Sequence, residues 1–183
     1  MGTLTLVRHT TPDIAPGVCY GRTDLDVSAQ FEDEAAKAAV ALISAPTQFV
    51  RIVSSPLRRC RKLADVLAER LELIVEEDPR LAEMDFGSWE GMAWSDISRA
   101  ELDAWAADFL NARPHGGESV AMLRARALAA LADWRTSGQT TLIVTHAGVI
   151  RAALATGDTA KHFNAKIAFG GFVTLPPEQG STL

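Results

Sequence analysis

The sequence predicts an α/β domain with one mostly parallel central sheet and helices on both faces. Short apolar runs at residues 4–7, 49–55, 71–78, 140–144 and 171–175 alternate with longer stretches of helical periodicity. That alternation implies parallel strands covered on both sides. Hydrophobic residues make up 48% and charged residues 22%, enough to bury a sizeable core. A chain of 183 residues suits a single domain spanning 1–183. The net charge of −5 leaves no basic excess to hold nucleic acid or an acidic membrane. Cys19 and Cys60 are too few for a disulfide scaffold and point to a reducing compartment. With no bilayer-length apolar run and no signal-peptide layout, the expected location is the cytoplasm.

The first run ends abruptly in Arg8, His9 and Thr10. In open α/β sheets ligands bind outside the carboxyl ends of the strands, so a guanidinium and an imidazole there are candidates for chemistry. The next stretch carries Pro12, Pro16, Gly17 and Gly21 and reads as a loop. Residues 28–43 read as a helix capped by Ser28, with Ala35, Ala36, Ala39, Val40 and Ile43 along one face. After the second strand, Ser55-Pro56 reads as a serine cap with proline in the first turn. This helix runs to about residue 71, with Leu57, Cys60, Ala64 and Leu67 inward. Arg58 and Arg59 fall in its first turn, where cations oppose the helix dipole. A bound anion would account for them.

A short strand at 71–78 leads into RLAEMDFGSWEGMAW. There Glu83 lies among Met84, Phe86, Trp89, Met92 and Trp94, a setting that suits a proton donor. Residues 95–110 and 119–134 read as helices, the second with Val120, Leu123, Ala127, Leu128, Leu131 and Trp134 as a core stripe. His115 sits in the loop between them. The strand at 140–144 repeats the opening device, ending in Thr145-His146 before Ala147-Gly148 starts a helix. The chain closes with a last strand at 171–175 and a loose PPEQG segment.

The pieces LVRH, SSPLRRC, LAEMDFGSWEG, GGES and VTHAG, in that order, resemble the histidine phosphatase superfamily, also called phosphoglycerate mutase-like. The likeness runs from Leu4 through Arg151. Within that family, RHTTPDIAPGVCYGRTDL is similar to the alpha-ribazole phosphatases of cobalamin nucleotide-loop assembly. Thr10, Thr11 and Pro12 stand where many members have glycine and then Glu-Ser or Glu-Thr, and Val27 with QFEDEA replaces a usual Leu-Gly.

The resemblance implies a phosphomonoesterase that works through a phosphohistidine. His9 is the expected nucleophile, its other ring nitrogen held by the carbonyl of Thr10 or a neighbour. Arg8 and Arg58 are expected to clamp the phosphoryl oxygens in fork geometry. His146 would hydrogen-bond an equatorial oxygen, and Glu83 would protonate the leaving alcohol and then activate water. Tyr20, Gly21 and Arg22 are expected to touch the rest of the substrate, with Glu118 and Ser119 shaping the mouth. No cofactor and no metal are expected, since arginines and imidazolium groups supply the charge. The expected partner is a small phosphorylated substrate, with the chain a monomer or homodimer. The competing readings are a mutase, a metal-dependent hydrolase with His9, His146 and Glu83 as ligands, and a non-catalytic phosphate-binding module.

Overall fold

The computed structural model describes residues 2–175; the PPEQG segment at 176–180 lies outside them. Five strands, β1 (Leu4–Arg8), β2 (Arg51–Ser54), β3 (Val75–Glu77), β4 (Thr141–Thr145) and β5 (Phe172–Leu175), form one sheet in the order β3-β2-β4-β1-β5. Strands β1 to β4 pair in parallel, and β5 closes the edge antiparallel to β1. Side chains alternate across the pleat, so each strand feeds both cores. Leu4, Leu6, Val53 and Ile143 face one core, and Val7, Ile52, Leu142 and Val144 face the other. Helices α1 (Phe31–Ile43) and α2 (Arg58–Leu71) cover the second face, and α4 (Val120–Thr136) and α5 (Ala147–Leu154) cover the first. The predicted α/β architecture with a largely parallel sheet is therefore the one observed.

Several boundaries differ from expectation. Helix α1 starts at Phe31, and its buried face is Ala35, Ala38, Ala39 and Leu42. Val40 and Ile43 instead lie exposed. Helix α2 starts at Arg58 with Leu57, not Ser55, at its N-cap and so without a side-chain cap; the Ser55 hydroxyl is engaged with His146 and accepts from Leu57 N–H (3.3 Å). Helix α3 (Arg99–Ala107) is shorter than the predicted 95–110 and buries none of its residues. In α4, Ser119 caps the helix by accepting from Met122 N–H, and Ala130 rather than Leu128 completes the buried stripe.

Between β3 and α3 the chain forms no long element. Two 3-10 turns, Pro79–Leu81 and Gly87–Trp89, carry it past the sheet edge. Thr145 donates its hydroxyl to the Leu81 carbonyl (2.8 Å), tying this segment to the end of β4. The segment places Glu83 beside the carboxyl ends of β1 and β4.

Candidate active site

The carboxyl ends of β1 and β4 are adjacent, with Arg8 paired to Thr145. His9 and His146, each the next residue along, therefore meet: their rings lie edge to face, with centroids 5.1 Å apart. His9 is 1% exposed and His146 is fully buried. His9 Nδ1 sits 2.7 Å from the Thr10 carbonyl. A carbonyl only accepts, so Nδ1 carries the proton and Nε2 keeps its lone pair. Burial first, and then the Arg59 charge, push the His9 imidazole down to about 3. The same two causes hold His146 well below its ordinary value. Both rings are neutral near pH 7. The positive charge at this end thus comes from guanidinium groups, not from the imidazolium that the sequence reading invoked.

The second guanidinium is supplied by Arg59, not Arg58. Arg59 is fully buried. Its Nη1 donates to the Thr23 carbonyl (2.8 Å), and its Nη2 donates to the Gly21 carbonyl (2.7 Å) and to His146 Nδ1 (3.3 Å). Arg58 turns outward, where its side chain pairs with Asp24 and Asp26 at 3.8 and 3.5 Å. Its backbone N–H also donates to Asp24 (2.6 Å). The anion that Arg58 meets is thus the protein's own loop. Arg8 donates to the Ile167 carbonyl (2.7 Å) and lies 3.8 Å over the Phe169 ring. Among the described residues, the Nε atoms of Arg8 and Arg59 and the hydroxyl of Thr10 are buried without a partner, unspent polar groups near His9.

His146 is held from both sides. With Nδ1 accepting from Arg59, Nε2–H donates to the Ser55 hydroxyl (2.8 Å). Cys60 packs against the same ring, its thiol 3.3 Å from Nε2.

Glu83 shares a cavity wall with Arg8 and His9. One carboxylate oxygen accepts from Met84 N–H (2.9 Å), the other from Gly148 N–H (3.1 Å). A Cβ on Gly148 would sit 2.1 Å from Glu83 Oε1, so only glycine allows this approach at the start of α5.

Of these groups, Arg8, His9 and Glu83 open onto this cavity of about 310 Å³, and Arg59 and His146 lie buried outside its lining. Arg8, His9, Tyr20 and Glu83 line its polar end; Phe86, Trp94, Trp105, Phe109 and Phe163 form much of the rest. Of the aromatic residues expected near Glu83, Phe86 and Trp94 reach the cavity, whereas Trp89 is buried in a separate core with Cys19 and Ile97. Of the three loop residues expected at the substrate, Tyr20 lines the cavity. Gly21 acts through its carbonyl on Arg59. Arg22 is exposed, and its backbone N–H donates to Glu90 (2.8 Å). Glu118 and Ser119 stay behind the wall, in an ion pair and a helix cap.

The sequence reading missed Phe169, Arg151, Trp105, Phe109 and Phe163. It also missed Glu90, whose carboxylate takes N–H groups of Arg22, Thr23 and Phe86 and so fastens the loop that grips Arg59. Among the described residues, no group of three or more His, Cys, Asp or Glu side chains is arranged to hold a metal ion. No helix among them is long and apolar enough to cross a membrane.

The family model for the histidine phosphatase superfamily (branch 1) matches residues 4–166. A glucosyl-3-phosphoglycerate phosphatase from Mycolicibacterium vanbaalenii is 34% identical over 164 residues, covering 83% of this chain and 72% of that protein. The adenosylcobalamin/alpha-ribazole phosphatase of Salmonella typhimurium is 30% identical over 159 residues, covering 83% and 77%. A solved structure of mycobacterial glucosyl-3-phosphoglycerate phosphatase in complex with VO3 superposes with a TM-score of 0.83 at 29% identity, covering 96% of this chain and 93% of that one.

Proposed function

The chain belongs to the histidine phosphatase superfamily and is a phosphatase of small phosphorylated molecules, and on that premise we propose that it hydrolyses a phosphomonoester through a phosphohistidine at His9. The observation that carries this reading is the Thr10 carbonyl on His9 Nδ1, which leaves Nε2 as a neutral nucleophile. His9 Nε2 attacks phosphorus, the P–N bond forms and the bond to the leaving oxygen breaks. Arg8 and Arg59 hold the equatorial oxygens; His146, whose ring nitrogens are taken up by Ser55 and Arg59, orients the Arg59 fork rather than touching an equatorial oxygen as the sequence suggested. Glu83 gives its proton to the leaving oxygen. Water then attacks phosphorus, its proton passes to Glu83, and the P–N bond breaks to release phosphate. No step calls on a metal, because the two guanidinium groups meet the charge that develops.

The leaving group in this reading is an alcohol with an aromatic, largely apolar body, and alpha-ribazole 5′-phosphate is the specific substrate. Phe86, Trp94, Trp105, Phe109 and Phe163 in the cavity wall support it, since aromatic faces bind aromatic rings by area and by edge-to-face contact. A second reading takes an acidic leaving group such as a glucosyl-phosphoglycerate. Arg151 favours it: this guanidinium lines the same cavity, and its Nε donates to the Ala165 carbonyl (3.0 Å).

The test is a panel of phosphomonoesters with released phosphate as readout, run with wild type and His9→Ala. Wild type is expected to form a labelled phosphoenzyme and to prefer alpha-ribazole 5′-phosphate. His9→Ala is expected to lose turnover and labelling together. Turnover in His9→Ala overturns the nucleophile, and a preference for glucosyl-3-phosphoglycerate overturns the leaving group.

A further inference from the structure

The segment that carries Glu83 has little regular structure of its own, so its backbone carbonyls need donors from elsewhere. One side chain supplies most of them. Arg126, on α4, donates Nη1 to the carbonyls of Arg80 and Ala82 (both 2.7 Å) and Nη2 to the carbonyl of Glu83 itself (2.9 Å). Its Nε and remaining Nη2 hydrogen go to Glu118 at 2.6 and 2.8 Å. All five donors of the guanidinium are used. Glu118 grips the segment too: one of its oxygens accepts from Asp85 N–H (3.2 Å), and its own N–H donates to the Asp85 carbonyl (2.8 Å). Neither residue lines the cavity. The pair is half-buried, with side-chain exposures of 16% and 12%.

We propose that Arg126 and Glu118 form a clamp that sets the position of Glu83, and are thus positioning residues for proton transfer to the leaving oxygen. This rests on Glu83 acting as the acid, as argued above. The physical reason is distance. A proton donor works only within hydrogen-bond reach of its acceptor, and a misplacement of about 1 Å costs on the order of a hundredfold. The Glu83 carboxylate is anchored at its tip by Met84 and Gly148 N–H groups. Its backbone is anchored by the clamp. A lysine at 126 keeps the charge and loses the planar fork that spans three carbonyls.

The experiment separates this role from plain structural support by the leaving group. An alkyl phosphate needs a proton on its departing oxygen, whereas p-nitrophenolate leaves without one. The comparison is kcat/KM for 2-phenylethyl phosphate against p-nitrophenyl phosphate, since kcat/KM ends at departure of the leaving group. Glu83→Gln sets the reference, with a loss for the alkyl ester about a hundredfold larger than for the aryl ester. Arg126→Lys is expected to show the same selective loss, about tenfold in that ratio. Glu118→Gln, which keeps shape and removes only charge, should show a smaller selective loss and serves where Arg126→Lys does not fold. Equal losses on both esters, or none on either, in the folded clamp variants overturn the proposal. A Glu83→Gln enzyme without leaving-group selectivity overturns the acid assignment instead.

Discussion

At the polar end of the cavity, Arg8 and His9 hang from the end of β1, while the fully buried His146 and Arg59 hang from the end of β4 and the start of α2. Each is fixed by a named partner: Ile167, Thr10, Ser55, or Thr23 and Gly21. At the other end, Phe86, Trp94, Trp105, Phe109 and Phe163 come from loops, the short helix α3 and a 3-10 turn. They are held by one another, as in the 5.7 Å edge-to-face pair of Phe86 and Trp94. The first end is built for one geometry, the second for bulk. On the proposed reading, the chemistry of phosphate is committed in the sheet, while the choice of leaving group is delegated to segments that can vary without disturbing it.

The sharpest way to break that contrast is at the two neighbouring arginines. Arg59→Ala is expected to lower kcat/KM by about 10²–10³-fold on every phosphomonoester, the usual cost of removing one donor aimed at developing charge. Arg58→Ala, which removes only exposed ion pairs, should stay within about threefold of wild type. Similar losses in the two variants would put the phosphate elsewhere.

Acid stability reads the same contrast. An unfolded histidine takes a proton near 6.5, but folded His9 does so only near 3. Between those values the unfolded chain binds the extra proton, so folding stability falls as pH drops below about 6.5. Each such imidazole contributes a slope of about 1.4 kcal/mol per pH unit, about tenfold in the folding constant. Denaturant melts from pH 7 to 4 should show a shallower slope in His9→Gln and an unchanged one in Trp94→Ala. An unchanged slope in His9→Gln would mean that His9 is not kept neutral.

The smallest effect belongs to the apolar wall. Trp94→Ala should lower kcat/KM about fivefold for a substrate with an aromatic body and leave glycerol phosphate within about twofold. A uniform loss on both would make Trp94 a scaffold residue.

Much of the phosphate end was legible in the sequence because strand ends are local features. LVRH and VTHAG each announce a buried run that stops in a polar pair, and the parallel register brings the pairs together. The resemblance implies a carbonyl of Thr10 or a neighbour on His9, and it is that of Thr10. Arg58 and Arg59 both fall in the first turn of α2, and only the helical period tells them apart. Leu63 and Leu67 are buried, and stepping back four residues from Leu63 reaches Arg59, whereas the same step from Lys62 reaches Arg58. In α1 two apolar stripes overlap, and only packing decides between Ala38 with Leu42 and Val40 with Ile43. The cavity wall was opaque for another reason: Phe86, Trp105 and Phe163 are far apart along the chain, and no local pattern says that they meet.

The backbone of the nucleophile is bracketed by residues near the far end of the described chain. Gly170 N–H donates to the carbonyls of both Arg8 and His9, at 3.1 and 3.2 Å, and Arg8 N–H donates to Gly171. Arg8 is gripped from Ile167 as well. A nascent chain halted at residue 160 would already own His9, Arg59, Glu83 and His146 and yet lack the strap that seats Arg8 and His9. On the proposed reading, competence for turnover therefore waits on β5, which must zip onto β1 before Arg8 and His9 are seated.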